Sequence, residues 1–222
     1  MIALYRPTQV IPAALAGVVD EIPHWFVIGG QAVRCFAPYR PSRDVDFGVD
    51  SPVNLDDLVD QLRRRGDVTI QDRSPDTVHL LWNATKVSAF VLANLAPHVE
   101  DRHLTVTGVL ATKLHAILDR GLRRDFFDLY VMLHMHHLGI YAALSAIRTV
   151  YPGPIDDGLL LRALTYFDDA EREAALPGEG RKDWDSVKDY FLVQVGRLLV
   201  PPTRRLGIQA HAVDVVDPLP QP

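Results

Sequence analysis

The feature that most constrains the fold is an apolar run that enters a pair of glycines and is followed by two closely spaced aspartates. Trp25 to Ile28 has the character of a buried strand, Gly29-Gly30 turns the chain, and Gln31 to Phe36 reads as a short helix. A second strand is predicted from Asp44 to Val49, and side-chain alternation would put Asp44 and Asp46 on one face. A Gly-rich helix start suits phosphate and paired carboxylates suit a divalent metal, so this order of features indicates nucleotide-plus-metal chemistry.

Each of these motifs has a plainer explanation when taken alone. A Gly-Gly pair between a strand and a helix is also a common tight connection. Two acids on one face of a strand also suit the solvent side of a half-buried sheet. The functional interpretation is favoured because the glycines, the helix and the acidic strand follow one another in the required order.

The composition is that of an ordinary globular protein of 222 residues, 48% hydrophobic and 23% charged. The net charge of −5 excludes a protein-wide basic field for nucleic acid, although Arg63–Arg65 and Arg120–Arg124 are local basic clusters. Cys35 is the only cysteine, which excludes an internal disulfide. No apolar run approaches the ~20 residues of a membrane span and the N-terminus lacks a signal-peptide pattern, so we expect a cytoplasmic protein with no membrane partner.

The period of the apolar residues changes near residue 105, from a mixture of short strands and helices to helices alone. The further predicted strands are Val68–Gln71, Val78–Trp82 and Lys86–Leu92. The further predicted helices are Thr8–Asp20, Leu55–Arg65, Val109–Arg120 with Thr107 as its cap, Arg124–Leu138, Tyr141–Val150, Asp157–Tyr166 and Asp183–Leu199. We therefore predict an α+β fold with a small mixed-sheet domain at residues 1–105, an all-helical domain at 106–200 and a Pro-rich tail at 201–222.

The helical half carries a lysine and two acids that suit the opposite wall of a phosphate site. Asp125 and Asp128 are three residues apart and share a helix face, and Lys113 lies on the preceding predicted helix. The lysine can meet a phosphate, and an aspartate can orient the lysine or the nucleotide. The alternative is an interhelical salt bridge that only holds the two helices together, and the spacing alone does not choose between them.

Taken as an ordered set, the motifs resemble the AbiEii/AbiGii-type nucleotidyltransferases, the toxin-like branch of the DNA polymerase β-like nucleotidyltransferase superfamily. The similarity extends over roughly residues 22 to 197. It is carried by Gly29-Gly30, Arg43-Asp44-x-Asp46-Phe47, Lys113-Leu114-x-Ala116-Ile117-x-x-Arg120, Arg124-Asp125-x-x-Asp128-Leu129-Tyr130, Tyr166-Phe167-x-Asp169-Ala170-Glu171, Trp184 and Val187-Lys188.

The resemblance implies a nucleotidyltransferase domain followed by a helical domain. The implied activity is Mg²⁺-dependent transfer of a nucleoside monophosphate from an NTP to an acceptor hydroxyl, with pyrophosphate leaving. Mg²⁺ would be bound by Asp44 and Asp46, and Lys113 would hold nucleotide phosphate. The residues implied to bind nucleotide or metal, or to complete the catalytic site, are Gly29, Gly30, Arg43, Asp44, Asp46, Lys113, Asp125 and Asp128.

Relatives in this branch are commonly toxins of toxin–antitoxin pairs or phage-defence systems, and several act on RNA. The resemblance therefore also implies an RNA or tRNA acceptor and a cognate antitoxin as partners. We expect Asp46→Ala or Lys113→Ala to abolish transfer without unfolding the protein.

The sequence departs from the superfamily pattern at one position. A third carboxylate, the general base for the attacking hydroxyl, often lies on a later strand, but the corresponding position is Ser88, and Asp72 is an imperfect substitute on another strand. Either Asp128 or the metal alone would then activate the acceptor. Two alternatives stay open: a relative that binds nucleotide or a partner without catalysis, and an antibiotic-type adenylyltransferase acting on a small molecule, which the acidic net charge favours.

Overall fold

The computed structural model describes residues 4–42, 44–180 and 182–199. Within these residues the chain forms a seven-stranded mixed sheet with strand order β3-β4-β5-β2-β1-β7-β6. The strands are β1 Phe26–Val27, β2 Val45–Val49, β3 Val68–Arg73, β4 Thr77–Trp82, β5 Thr85–Val91, β6 Val99–Glu100 and β7 His103–Leu104. Strand β2 pairs antiparallel with β1 and parallel with β5, so the acidic strand lies inside the sheet.

The helices precede, interrupt and follow the sheet. They are α1 Pro7–Val10, α2 Ala13–Val19, α3 Gly29–Phe36, α4 Pro52–Arg65, a 3-10 helix Ala93–His98, α5 Val106–Asp119, α6 Arg123–Met135, α7 Ile140–Val150, α8 Asp157–Thr165, α9 Asp168–Glu171 and α10 Asp183–Leu199. Side-chain caps fix three of the starts: Ser51 accepts from the Asn54 N–H, Thr105 from Gly108 and Asp156 from Leu159.

The core is continuous from the sheet into the helical half. On β2 the side chains of Val45, Phe47 and Val49 are fully buried, while Asp46 between them is only half-buried. This alternation puts the apolar side chains in the core and Asp46 on the opposite face. Helix α5 packs against α3, the 3-10 helix and β7 on one side and against α6 and α7 on the other. The predicted α+β class, a mixed sheet followed by helices, is confirmed.

Several predicted boundaries are wrong for local reasons. The helix predicted to end near Asp20 is two helices, because Ile11 is extended before Pro12, as a residue that precedes proline prefers. Strand β2 begins at Val45 rather than Asp44, whose carbonyl oxygen accepts from the Gln31 side chain. The cap of α5 is Thr105 and not Thr107.

The strands β6 and β7 were not predicted because each is only two residues long, too short to show an alternation of apolar and polar side chains. The domain boundary near residue 105 stays a prediction, and it coincides with the passage from β7 to α5. The predicted tail at 201–222 lies outside the described residues. No helix in the described part of the chain is long and apolar enough to cross a membrane.

Candidate active site

A cavity of about 620 Å³ opens between the sheet and α5. Its walls come from both halves of the chain. The polar lining residues of the sheet half are Arg40, Ser42, Asp44, Asp46, Gln71, His79, Lys86 and Ser88. Those of the helical half are Thr112, Lys113, His115, Asp119, Arg120, Arg124 and Tyr151. Gly29 and Gly30 also line it, so the first turn of α3 faces the cavity.

The two glycines are required by how closely the start of α3 approaches the acidic strand. Gly29 has φ +62°, and a Cβ there would lie 2.7 Å from Asp46 Oδ2. A Cβ on Gly30 would lie 3.0 Å from Ser42 Oγ and 3.2 Å from Arg40 Nη2. Any side chain at these positions would push the polar groups out of the cavity wall, so the glycines serve close approach and not only a turn.

We expect Gly29→Ala to lower the free energy of unfolding by about 1–2 kcal/mol, the cost of a left-handed conformation for an L-residue, and to displace Asp46. Gly17→Ala is the matched control, because Gly17 lies inside α2 and its Cβ position is open among the described residues. That control is expected to gain about 0.5–1 kcal/mol from helix propensity. Urea denaturation measures both, and equal shifts in the two variants would contradict the close-approach argument.

Asp44 and Asp46 lie on the sheet side of the cavity. Asp44 is exposed, and the loop before it is tied to α3 because Gln31 Nε2 donates to the Asp44 and Ser42 carbonyl oxygens at 3.1 and 3.2 Å. Burial raises the pKa of Asp46; Lys113 opposes this shift and the charge of Asp44 adds to it. The effect of burial on Asp46 therefore outweighs the positive charge nearby.

The donor set of this pair fits Mg²⁺. No group of three or more His, Cys, Asp or Glu side chains is placed to hold a metal within the described residues, so protein ligands alone do not make a closed metal cage. Mg²⁺ in phosphate-transfer sites is bound through one or two carboxylates together with waters and substrate phosphates. Two cavity-lining carboxylates, Asp44 and Asp46, match that requirement.

An ion-pair cluster at the cavity wall is made of Arg40, Lys113, Arg120, Asp125 and Asp128, and all of these side chains except that of Arg120 are largely buried. Arg40 donates two hydrogen bonds to Asp128, from Nε to Oδ1 at 2.9 Å and from Nη2 to Oδ2 at 2.7 Å. Lys113 Nζ lies 2.7 Å from Asp128 Oδ2 and 3.5 Å from Asp125 Oδ1. Arg120 holds Asp125 in the same forked manner, at 2.9 and 3.2 Å. The cluster thus fixes three cations that also line the cavity.

The electrostatics of the cluster favour the ionised form of Asp128. Asp125 and Asp128 are both 0% exposed. Burial alone would raise the pKa of Asp128, but Lys113 and Arg40 outweigh it and hold that pKa below its usual value. Tyr39 adds a hydrogen bond from its hydroxyl to Asp128 Oδ1 at 2.5 Å. All acceptor positions of Asp128 therefore point at protein donors rather than into the cavity.

The structure brings most of the predicted site residues together. Five of them line one cavity: Gly29, Gly30, Asp44, Asp46 and Lys113. Asp125 and Asp128 contact the lining cations but are 0% exposed and lie one layer behind them, and their role in the catalytic site stays a prediction. Arg43 lies outside the described residues.

The two arginine clusters of the sequence lie in different parts of the structure. Arg120 and Arg124 line the cavity, and the charge of each opposes the rise in the pKa of Asp46. Arg123 between them turns away to Glu179, with its guanidinium 4.5 Å from the Trp184 ring.

Two of the arginines of α4 form ion pairs with other acids and do not line the cavity. Arg63 pairs with Asp60 at 3.2 Å, and Arg65 pairs with Glu21 at 3.4 Å. The two runs of arginine therefore do not act as one basic patch.

The position of the missing third carboxylate is occupied by a hydrogen-bonded pair. Ser88 is the register neighbour of Asp46 on β5, and His79 on β4 is the register neighbour of Ser88. His79 Nδ1 and Ser88 Oγ are 2.9 Å apart, and both side chains line the cavity. Sequence reasoning missed His79, although strand alternation on β4 puts it on the face opposite the buried Val78 and Leu80.

Arg40 is the other residue that the sequence did not reveal. It lies in the loop after α3, and its partner Asp128 is 88 positions away along the chain. No local pattern encodes such a pairing, and an arginine in a Pro-rich loop is unremarkable by itself.

The comparisons with known proteins agree with this geometry. The family described as nucleotidyl transferase AbiEii toxin, type IV TA system, matches residues 83–204, which is more than half of the chain. The matched range includes Lys113, Arg120 and Asp128 but begins after β2. The uncharacterized protein aq_aa25 of Aquifex aeolicus (strain VF5) is 25% identical over 185 residues, covering 79% of this chain and 88% of that protein.

A solved structure supports the fold. A crystal structure of a candidate nucleotidyltransferase from H. pylori superimposes with a TM-score of 0.54 at 18% identity, over 84% of this chain and 90% of that one. At this identity the likeness bears on the fold alone. With the family match covering the helical half and the fold match extending over most of the chain, the protein belongs to the AbiEii nucleotidyltransferase toxin family.

Proposed function

We propose that this protein transfers a nucleoside monophosphate from an NTP to an acceptor hydroxyl, with pyrophosphate leaving. The observation that carries the proposal is the juxtaposition, in one cavity, of the Asp44 and Asp46 carboxylates with Lys113, Arg120 and Arg124. Transfer of this kind depends mainly on positioning and on compensation of the phosphate charge. The two acids of the sheet half and the three cations of the helical half supply both requirements.

Each wall has its own task in this proposal. Asp44 and Asp46 would hold Mg²⁺ together with the triphosphate, and the ion would supply compensation of the phosphate charge. Gly29 and Gly30 present the first turn of α3 to phosphate oxygens. Lys113, held by its two buried aspartates, binds phosphate from the helical half.

Asp125 and Asp128 are positioning residues in this proposal. Both carboxylates are 0% exposed and contact Arg40, Lys113 or Arg120, so in this proposal neither receives the acceptor proton. They orient these cations: Arg40 and Lys113 are held in buried pairs, and Arg120 in a pair that is exposed on the arginine side. The domain division at about residue 105 is proposed on the same ground, since the cavity has one wall in each half.

We further propose an RNA acceptor, with tRNA as the first candidate, and a cognate antitoxin as partner. Membership of a toxin family supports both. The second candidate is a relative that binds NTP without transfer, and Ser88 at the third-carboxylate position favours it. A small-molecule adenylyltransferase remains the third class to test.

The deciding experiment incubates the purified protein with each α-³²P-labelled NTP and Mg²⁺, with total RNA, with a panel of cationic small molecules, or with no acceptor. We expect label on RNA in the tRNA size range with one preferred NTP, and loss of that label when EDTA is added. Label on a small molecule would replace the RNA acceptor. Tight NTP binding without label on any acceptor would contradict transfer and leave the binding-only relative.

A further inference from the structure

The lining of the cavity also includes aromatic and apolar side chains. The rings of His115 and Tyr151 are stacked, with centroids 4.4 Å apart and an interplanar angle of 20°. Phe90, Leu92 and Leu95 of the sheet half line the same cavity. The cavity therefore combines charged groups with a flat aromatic surface.

Three elements hold the stacked pair in place. His115 belongs to a stripe of α5 that faces the cavity, together with Thr112, Ala116 and Asp119 at helical spacing. Tyr151 ends α7, and its N–H donates to the Ile147 carbonyl oxygen at 2.9 Å.

The 3-10 helix packs against α7. Asn94 Nδ2 donates to the Val150 carbonyl oxygen at 3.3 Å, and Leu95 beside it is fully buried. Burial raises the pKa of Tyr151 to about 12, so its ring is neutral near pH 7. The pair thus lies where α5, the end of α7 and the 3-10 helix meet.

The plain explanation is that the rings stack only to cover α7. A ring that serves packing alone is expected to be enclosed, but His115 is exposed and lines the cavity. Tyr151 covers one face of His115. Lys113 of the same helix also lines the cavity, so a ligand that contacts both Lys113 and His115 has an anionic end and a flat end.

We propose that the His115–Tyr151 pair is the subsite for the base of the NTP, with the base stacked on the accessible face of His115. This inference rests on the proposed function, because it assigns the far end of the same ligand. Every nucleobase has a π-face, so stacking of this kind contributes affinity while tolerating different bases. The choice among NTPs then comes from groups around the platform rather than from the platform itself.

The test compares ligands that have and lack a base. Isothermal titration calorimetry in Mg²⁺ buffer measures the Kd of each NTP and of inorganic tripolyphosphate for wild type and His115→Ala. We expect His115→Ala to weaken NTP binding about tenfold or more, in line with the measured contribution of base stacking on aromatic side chains. Tripolyphosphate binding is expected to stay within about twofold, because the phosphate groups of the site are untouched.

Two further variants separate stacking from a general loss of structure. His115→Phe keeps a flat ring and is expected to retain NTP affinity, whereas His115→Leu is apolar without a π-face and is expected to behave like His115→Ala. Tyr141→Ala is the surface control, since Tyr141 is 69% exposed at the start of α7. Its NTP binding is expected to equal that of wild type.

Unchanged NTP affinity in His115→Ala would overturn the proposal, and the stacked pair would then be assigned to acceptor binding. So would an equal loss of NTP and tripolyphosphate binding, or a wild-type protein that binds NTP no better than tripolyphosphate. A wild type that binds NTP through His115 but labels no acceptor would uphold the base subsite while removing the proposed transfer. The two proposals therefore fail separately.

Discussion

Asp46→Asn is expected to reduce nucleotidyl transfer by about a thousandfold or more, equal to about 4 kcal/mol of activation free energy, while the fold is retained. The amide keeps the size of the side chain but removes the charge that would bind a divalent cation. Asp46 lies on the cavity face of β2, between the buried Val45 and Phe47, so the core is not disturbed. Transfer of α-labelled NTP at saturating Mg²⁺ measures the effect.

The pKa of Asp46 gives this variant a second, independent signature. Burial raises that pKa in the folded protein, so the ionised carboxylate costs folding free energy at pH values above its usual pKa. Asp46→Asn is therefore expected to match or exceed the Tm of wild type at pH 7 without Mg²⁺. Wild type is expected to gain stability when Mg²⁺ and NTP are added, and the variant to lose most of that gain.

Asp72→Asn is the matched control, because Asp72 is an exposed acid on β3 of the same sheet. It is expected to retain wild-type transfer, which would also remove it as a stand-in for the third carboxylate. Full transfer by Asp46→Asn, or equal losses in the two variants, would sink the assignment of Asp46 as a metal ligand.

Asp128→Asn is expected to lower the free energy of unfolding by about 3–5 kcal/mol at pH 7 and to abolish transfer as well. The substitution removes the carboxylate from between Lys113 and Arg40, whose side chains are only 4% and 9% exposed. Arg40 then loses its carboxylate partner and Lys113 keeps only the longer contact to Asp125, and removing one partner is the costly way to break a buried pair. Guanidinium denaturation at several pH values measures the loss.

The pH dependence follows from the sign of the shift. The pKa of Asp128 is lowered in the folded protein, so the ionised carboxylate contributes stability fully above the usual value of 3.8. That contribution is lost as the pH falls through the lowered pKa. The gap between wild type and Asp128→Asn is therefore expected to be full at pH 7 and to narrow under strongly acidic conditions.

Asp60→Asn is the control for this prediction, since it breaks an ion pair with Arg63 in which both side chains are about half exposed. Its effect is expected to stay within about 0.5 kcal/mol. Equal stability of Asp128→Asn and wild type would show that the cluster does not hold the cavity wall.

The burial of Lys113 changes what we expect of Lys113→Ala. The substitution would remove a cation that contacts both Asp125 and Asp128. We therefore expect Lys113→Ala to lose stability as well as transfer.

The parts of the site that follow from local rules could be predicted from the sequence. The alternation of Val45, Asp46 and Phe47 indicates which side chain leaves the core, and helical spacing puts Asp125 and Asp128 on one face. Both rules act over a few residues, so they can be read without knowing the fold.

The parts that depend on tertiary contacts could not be predicted. Spacing did not decide whether Asp128 faces the cavity or the protein, because that depends on Arg40 arriving from a distant loop. The pairing of His79 with Ser88 depends on the register of β4 against β5, and the short strand β7 is defined only by its neighbours. In each case the missing information is a partner that lies far away along the chain.

The contact between Arg40 and Asp128 also determines how early in translation the site can form, because both residues must have been synthesised. The two residues are 88 positions apart, and ribosomes add about 5–20 residues per second, so several seconds separate their translation. During that interval the glycine turn and both metal-type acids already exist, but Lys113 and the aspartates that hold it do not. The site of a nascent chain is thus incomplete until α6 has been translated.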